Sequence, residues 1–325
     1  MEPQQVRLGV IEDERYLLHD TGEKHPESIE RLKRLNTLMQ ETRWLRELPR
    51  IPVKPASKRW LETVHNIHYI TEFEDSCLYG LPDFEHPDNA ICRESYDTAL
   101  LAVGGVIAAV DAVMGKEVDR VFCAVRPPGH HAEAAKPIGF CYFNNVAIGV
   151  RYLLEQYGEK CGIERVAIID FDVHHGNGTQ HIFENSSSVF FYSIHEHPSF
   201  AFPGTGRDFE TGKGEGEGFT LNSPLLPGKG DPEYIAAIQN DLLPALEKFQ
   251  PDFLFVSAGF DAHIDDLMAD MRLTNDGFDF LSAMVVEVAR KYCGGRLISV
   301  LEGGYNPETL PGLVENHLRI LADKE

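Results

Sequence analysis

The chain has 325 residues, with 51 acidic against 30 basic side chains and a formal net charge of −21. So acidic a balance disfavours direct contact with nucleic acid, which requires neutralisation of phosphates, and it suits either approach of cationic substrates or plain solubility. A hydrophobic share of 43% supports a large core, no apolar run reads as long enough to span a bilayer, and the start Met1-Glu2-Pro3-Gln4-Gln5 lacks the basic and apolar regions of a signal peptide, so a cytoplasmic location is expected.

Val6–Val10 reads as a first strand. The polar segment Glu12 to Glu27 has turn chemistry and no apolar period, so it reads as a loop. A helix follows from about Pro26, with Ile29, Leu32, Leu35 and Leu38 on one face. Pro49 and Pro52 bracket a short strand near Ile51-Val53, and two short helices fall between Ser57 and Cys77. Leu81 to Asn89 is a second loop. A helix over about Glu94 to Met114 carries small residues suited to close packing against a sheet. Val121–Val125 is a buried strand ending at His130-His131. An aromatic loop, Gly139 to Asn145, leads to a helix ending near Gln156.

Val166–Ile169 has the length and branching of a buried parallel strand. It delivers Asp170, Asp172 and His174 in alternation, which extended backbone points to one face. Helix Thr179 to Phe183 and strand Val189–Ile194 come next. His195 to Gly218 is a long Gly-rich loop of the kind that is usually functional. Phe219–Leu221 is a short strand, Pro232 to Lys248 a helix, and Phe253–Ala258 a strand ending at Asp261. Helix Thr274 to Tyr292, strand Leu297–Leu301 ending at Tyr305, and a helix from about Pro307 complete the chain. Strands and helices alternate without a linker or repeat, which implies one α/β domain: a mostly parallel sheet of about eight strands between helices, in three layers. The cysteines (Cys77, Cys92, Cys123, Cys141, Cys161 and Cys293) form no C-x-x-C pair, so buried thiols in a reducing compartment are expected rather than a structural cysteine-zinc site.

Four apolar strands thus stop at residues suited to chemistry. In α/β sheets the carboxyl ends of strands bind ligands. Asp172 and His174 alone could cap the next helix. With Asp261 they form a carboxylate–imidazole set for one divalent metal, leaving room for water and a substrate carbonyl. His130 and His131 are placed to shuttle a proton, and Tyr305 can donate to a developing oxyanion, with Gly303-Gly304 freeing its backbone. No serine elbow, catalytic Cys-His signature or phosphate loop is present. The reaction class is metal-assisted hydrolysis of an amide or similar bond.

The set R-P-P-G-H-H-A, G-F-C-Y-F-N-N, D-F-D-V-H-H-G-N-G-T-Q, P-G-T-G, S-A-G-F-D-A and E-G-G-Y resembles the histone deacetylase family of the arginase/deacetylase superfamily, from about Glu12 to Leu310. Asn177, where class I enzymes carry Asp, resembles class II and bacterial deacetylase-like amidohydrolases. The resemblance implies zinc on Asp172, His174 and Asp261, with iron an alternative metal in the cell. His131 would be the general base and His130 an electrostatic partner bonded to Asp170, while Asn177 orients His131 and Tyr305 polarises the carbonyl. Gly139, Phe140 and Phe202 would line an acyl-lysine tunnel with Gly303, Met268 would shape its mouth, and Asp88 would sit at its rim. Potassium would use Asp170, Ser193 and the carbonyls of Asp172, His174 and Ile194. A second potassium site would involve Phe183, Ser186 and Val189.

The implied substrate is acyl-lysine in a peptide or protein, or an acetylated polyamine. Polyamine enzymes of the family narrow the tunnel by insertions and often form homo-oligomers; the loops Asp20–Pro26 and Leu81–Asn89 are where this would show. Two other classes compete. A ureohydrolase would hold two manganese ions, and Asp261-Ala262-His263-Ile264-Asp265 resembles its D-A-H-x-D, but Gly176 stands where a further carboxylate is needed. A non-catalytic acyl-lysine binder would lack His131 or Tyr305, and both are present. His175 and His263 read as structural, and Cys141 as packing.

Overall fold

The computed structural model describes residues 6–324, and its apolar runs pair into one parallel sheet. Strand β1 (Leu8–Ile11) precedes a 3-10 turn at Glu14–Leu18, helices α1 (Ile29–Glu41), α2 (Arg43–Arg46), α3 (Lys58–Leu61) and α4 (Ile67–Leu78), and a hairpin of β2 (Asp83–Phe84) and β3 (His86–Ala90). Next come α5 (Ser95–Met114), β4 (Arg120–Cys123), α6 (Asn145–Cys161), β5 (Val166–Asp170), α7 (Asn177–Phe183) and β6 (Val189–Glu196). The remainder is β7 (Thr220–Leu225), α8 (Asp231–Ala237), α9 (Leu243–Phe249), β8 (Phe253–Ala258), α10 (Asn275–Tyr292), β9 (Leu297–Leu301) and α11 (Leu310–Leu321).

The sheet order is β1-β4-β9-β8-β5-β6-β7, and every pair is parallel. Parallel strands need crossover connections, whose helices cover both faces, so β4, β5, β6, β8 and β9 are buried along their whole length and are mostly apolar. The four strands that lead to polar residues, β4, β9, β8 and β5, are neighbours. Register locks them: Asp170 lies opposite both Ser257 and Ser193, and Ser257 opposite Val300. Their carboxyl ends therefore open at one place.

Several elements differ from the sequence expectation. The sheet has seven strands. The Ile51-Val53 segment meets the β1 edge only through a bridge from Arg50 to Val10, because Pro49 and Pro52 cannot donate to a ladder. The segment Leu81–Asn89 is not a plain loop but the β2–β3 hairpin, turned at Glu85 with φ +61°. Strand β6 continues through His195 and Glu196, so the long loop begins after them. The expected helix over 232–248 is present but contains a π turn at Ile238–Leu242 just ahead of Pro244, whose ring removes one hydrogen bond and clashes with the preceding turn. Helix α5 is, against expectation, long and apolar enough to cross a membrane by length and composition. In the fold 67% of its apolar window is buried inside the protein, as in a core helix.

The polar segment before α1 is also more than a loop. Glu27 is fully buried, and its Oε1 accepts from Arg126 at 2.6 Å and from Arg31 at 2.9 Å. Arg31 in turn donates to the carbonyls of Glu302 and Gly304, both at 2.6 Å, tying α1 to the loop after β9. Removing one partner of a buried pair strands the other charge and costs about 3–5 kcal/mol. Glu27→Ala is therefore expected to lower the unfolding free energy in urea by about 3 kcal/mol or more. Glu47→Ala, which breaks the exposed pair with Arg43, should stay within about 1 kcal/mol; equal effects from the two substitutions would refute the account.

Candidate active site

Beyond β5 the chain folds back on its own carboxylates. Asp170 Oδ1 accepts from Asp172 N at 3.1 Å, and Asp172 Oδ1 accepts from His174 N at 2.9 Å. Neighbouring segments supply the other donors: Val173 N reaches Asp261 Oδ1 at 2.9 Å and Gly303 N reaches Asp172 Oδ2 at 2.8 Å. Asp170 and Asp261 thereby spend one oxygen on backbone and turn the other inward, while Asp172 accepts a backbone N–H on each oxygen. Asp172 Oδ1 and Asp261 Oδ2 each lie 3.1 Å from His174 Nδ1.

These three buried side chains are the one metal-compatible group among the described residues, with donor atoms within 4.8 Å of one another. Donors on a tetrahedral ion with bonds of about 2.0–2.1 Å are separated by about 3.3 Å, so the observed spacing and the two-carboxylate, one-imidazole chemistry fit a divalent cation. Local charge is in excess. Burial, then Asp172, raise Asp261 to about 7. Burial opposes charge on His174, but Asp172 and Asp261 outweigh it and raise it to about 10.

The histidine pair sits on the loop after β4, held by Glu302, whose Oε2 accepts from Gly129 N at 2.7 Å and His130 N at 3.2 Å. The two rings are 4.0 Å apart yet differ in surroundings. His130 Nδ1 is 2.9 Å from Asp170 Oδ2; burial opposes its charge, but Asp172 and Asp170 prevail and raise it to about 10. His131 Nδ1 is 2.8 Å from Asn177 Oδ1; burial, then His130 and His174, hold it well below the usual imidazole range. One ring is pushed toward the cation and the other toward the neutral base, the kind of division that separates acid–base roles.

A cavity of about 190 Å³ opens over this floor, lined by Asp88, His131, Gly139, Phe140, His174, Phe202, Met268 and Tyr305. Phe202 stands edge-on to His131, with centroids 5.1 Å apart, and Phe140 edge-on to Tyr305 at 5.8 Å. Gly139, at φ +58°, lies so close that an added Cβ would meet His131 Cδ2 at 2.4 Å. Gly303 does not line the cavity; it sits behind the triad, where a Cβ would come within 2.2 Å of Asp261 Oδ2. Tyr305 is fixed by Asp266, which accepts from Tyr305 N at 2.7 Å, and by the Arg31 guanidinium 4.9 Å from its ring centre. Burial, then Asp172 and Asp261, push the Tyr305 hydroxyl well above its ordinary value, so it remains a proton donor. Asp266 also accepts from Met268 N at 3.0 Å.

Other residues singled out from the sequence lie around this centre. Ser193 Oγ is 2.8 Å from His195 Nδ1, and Ile194 follows it on β6. Phe183 ends α7, Ser186 N donates to its carbonyl at 2.8 Å, and Val189 begins β6. His175 bridges Thr205 and Gln180, and His263 contacts Asn275, away from the triad. Cys141 is a buried thiol that burial pushes well above the usual range. Sequence reasoning assigned no role to Glu302, Asp266 or Arg31. Glu302 carried the same signal as Asp170, an acid directly after an apolar strand. Arg31 and Asp266 act on backbone atoms distant in sequence and left no pattern to find.

The histone deacetylase domain matches residues 25–321. A probable deacetylase of Archaeoglobus fulgidus is 42% identical over 304 residues, covering 92% of this chain and 82% of that protein. A histone deacetylase-like amidohydrolase of Pseudomonas aeruginosa is 40% identical over 287 residues, covering 88% and 74%. The crystal structure of the HDA15 HD domain superposes with a TM-score of 0.91 at 32% identity, covering 98% of this chain and 89% of that one. The sheet, the charged floor and these likenesses lead to one conclusion: the chain belongs to the histone deacetylase family and is a hydrolase of the deacetylase/amidohydrolase type.

Proposed function

We propose that this catalytic domain removes the acyl group from acyl-lysine side chains of peptides or proteins in a zinc-dependent reaction. The observation that carries this reading is the sharing of one cavity by the neutral base His131, the metal-compatible His174 and the protonated Tyr305. Zinc on Asp172, His174 and Asp261 would polarise the scissile carbonyl and acidify the attacking water; iron is the alternative ion.

The protein's own groups do the rest. Asn177 Oδ1 can only accept, so His131 Nδ1 carries its hydrogen and Nε2 is the free base. Nε2 takes the proton of the attacking water and returns it to the leaving lysine amine. His130, charged against Asp170, supplies positive potential beside the anion that forms. The Tyr305 hydroxyl donates to that oxyanion. Phe140, Phe202 and Gly139 form walls that exclude water from the extended lysine stem, while Met268 and Asp88 meet the peptide at the rim. Potassium would be held behind the floor by Asp170, Ser193 and the carbonyls of Asp172, His174 and Ile194, in keeping with the pairing of Asp170 with Ser193. An acetylated polyamine is the second reading, favoured by the Asp88 carboxylate at the rim and the net charge of −21.

Zinc-loaded protein is expected to turn over an acetyl-lysine peptide and to lose activity to a chelator. Tyr305→Phe should lower kcat by about 10²–10³-fold and His131→Ala by about 10²–10⁴-fold. Peptide turnover that His131→Ala retains would remove His131 as the base. Compared side by side, acetyl-lysine peptide should exceed acetylputrescine in kcat/KM at least tenfold; the opposite order would replace the peptide reading with the polyamine one.

A further inference from the structure

Asn177 stands between two groups that make opposite demands on its amide. Its Oδ1 lies 2.8 Å from His131 Nδ1, while its Nδ2 lies 2.8 Å from Glu133 Oε1 and 3.4 Å from the His131 carbonyl. A carboxylate accepts only, so the amide meets Glu133 with its NH2 and His131 with its oxygen. That orientation obliges His131 to carry its hydrogen on Nδ1 and leaves Nε2 bare. An amide turned by 180° would present NH2 to Nδ1 and drive the hydrogen to Nε2, where no base would remain.

Glu133 is itself held in place. His181 Nδ1 is 3.2 Å from Glu133 Oε1, with side-chain exposures of 39% and 29%. Asn177 and His181 are four residues apart on α7, hence on one helix face, and Glu133 bridges both. The hydrogen bond to His181, then that to Asn177, keep Glu133 below the usual carboxylate range against burial, with Lys136 adding to this. His181 is raised first by Glu133 and further by Glu184, against burial and Lys213. Neither Glu133 nor His181 lines the cavity.

We propose that Glu133 and His181 are positioning residues for the catalytic base: together they orient the Asn177 amide and so fix the tautomer of His131. The inference rests on the reading of His131 as that base. An imidazole placed in the wrong tautomer can cost about 10⁴-fold in kcat; the His131 carbonyl retains a weaker bias in the same direction, so loss of Glu133 costs less than this.

The test combines turnover with 15N NMR of the His131 ring in the zinc-loaded protein. Wild type should show hydrogen on Nδ1. Glu133→Ala should shift His131 toward the Nε2–H form and lower kcat at least tenfold, with KM within twofold; His181→Ala should do the same to a smaller degree. Asn177→Asp supplies a group that accepts with either oxygen and cannot be turned the wrong way. In that background Glu133→Ala should cause no loss, and should raise kcat by removing a like charge. An unchanged His131 tautomer in Glu133→Ala, or an equal kcat loss in both backgrounds, would overturn the proposal. The His131 signal of folded molecules is told from that of unfolded chains by its shift, and it needs no turnover. A tautomer that depends on Glu133 in a protein inactive on acetyl-lysine peptide would support the positioning role and defeat the substrate reading instead.

Discussion

Four carboxylates crowd one edge of the sheet: Asp170, Asp172, Asp261 and Glu302, none more than 1% exposed. Anions taken out of water persist only where hydrogen bonds and positive charge compensate them. Much of the architecture near the site answers that demand. Backbone N–H groups of Asp172, Val173, His174, Gly129, His130 and Gly303 are all aimed at these oxygens. His130 lies between Asp170 and Asp172, and His174 between Asp172 and Asp261, which draw both rings toward the charged form where no ion is bound. A divalent ion on the triad fits the same requirement. The negative floor that makes the site chemically useful is also what dictates the packing beside it.

The split between the two neighbouring histidines follows from the same geometry. His130 points its Nδ1 at a carboxylate, and His131 points its own at an amide oxygen. A single step along the backbone thus separates an imidazole whose pKa is raised from one whose pKa is lowered. The Asn177 amide makes this possible because it orients an imidazole without charging it. An amide, unlike a carboxylate, has a wrong way round, and Glu133, on the loop after β4 and paired with His181 one turn along α7, is the group placed to exclude it.

Much of this was legible in the sequence. Strands buried on both faces leave uninterrupted apolar runs, so β5, β8 and β9 could be read directly, and the polar residues after them could be assigned to the carboxyl edge. The spacing in Asp172-Val173-His174 placed two ligands, and Asp261 followed from the third strand. What could not be read depends on partners far away in the chain. Glu27 looked like part of a polar loop because its two arginines, Arg31 and Arg126, lie on other elements. His195 and Glu196 looked like loop because polar residues in a strand are recognisable only once their neighbours are known. The hairpin at Asp83–Ala90 has Pro and charged residues of turn type, and its few strand residues carry no alternation.

Helix α5 carries a consequence for how the chain is made. Twenty largely apolar residues, read alone, resemble a lipid-seeking segment; β1, the Glu14–Leu18 turn and α4 precede them and cover part of the helix, but β4 and α6, which cover much of the rest, are made later. Between those moments on the ribosome the nascent chain exposes its greasiest stretch. The hazard belongs to that interval rather than to the finished molecule. Substitutions that delay docking of α6 would therefore surface first as poor yield or clumping during synthesis, while whatever protein does mature could remain fully active.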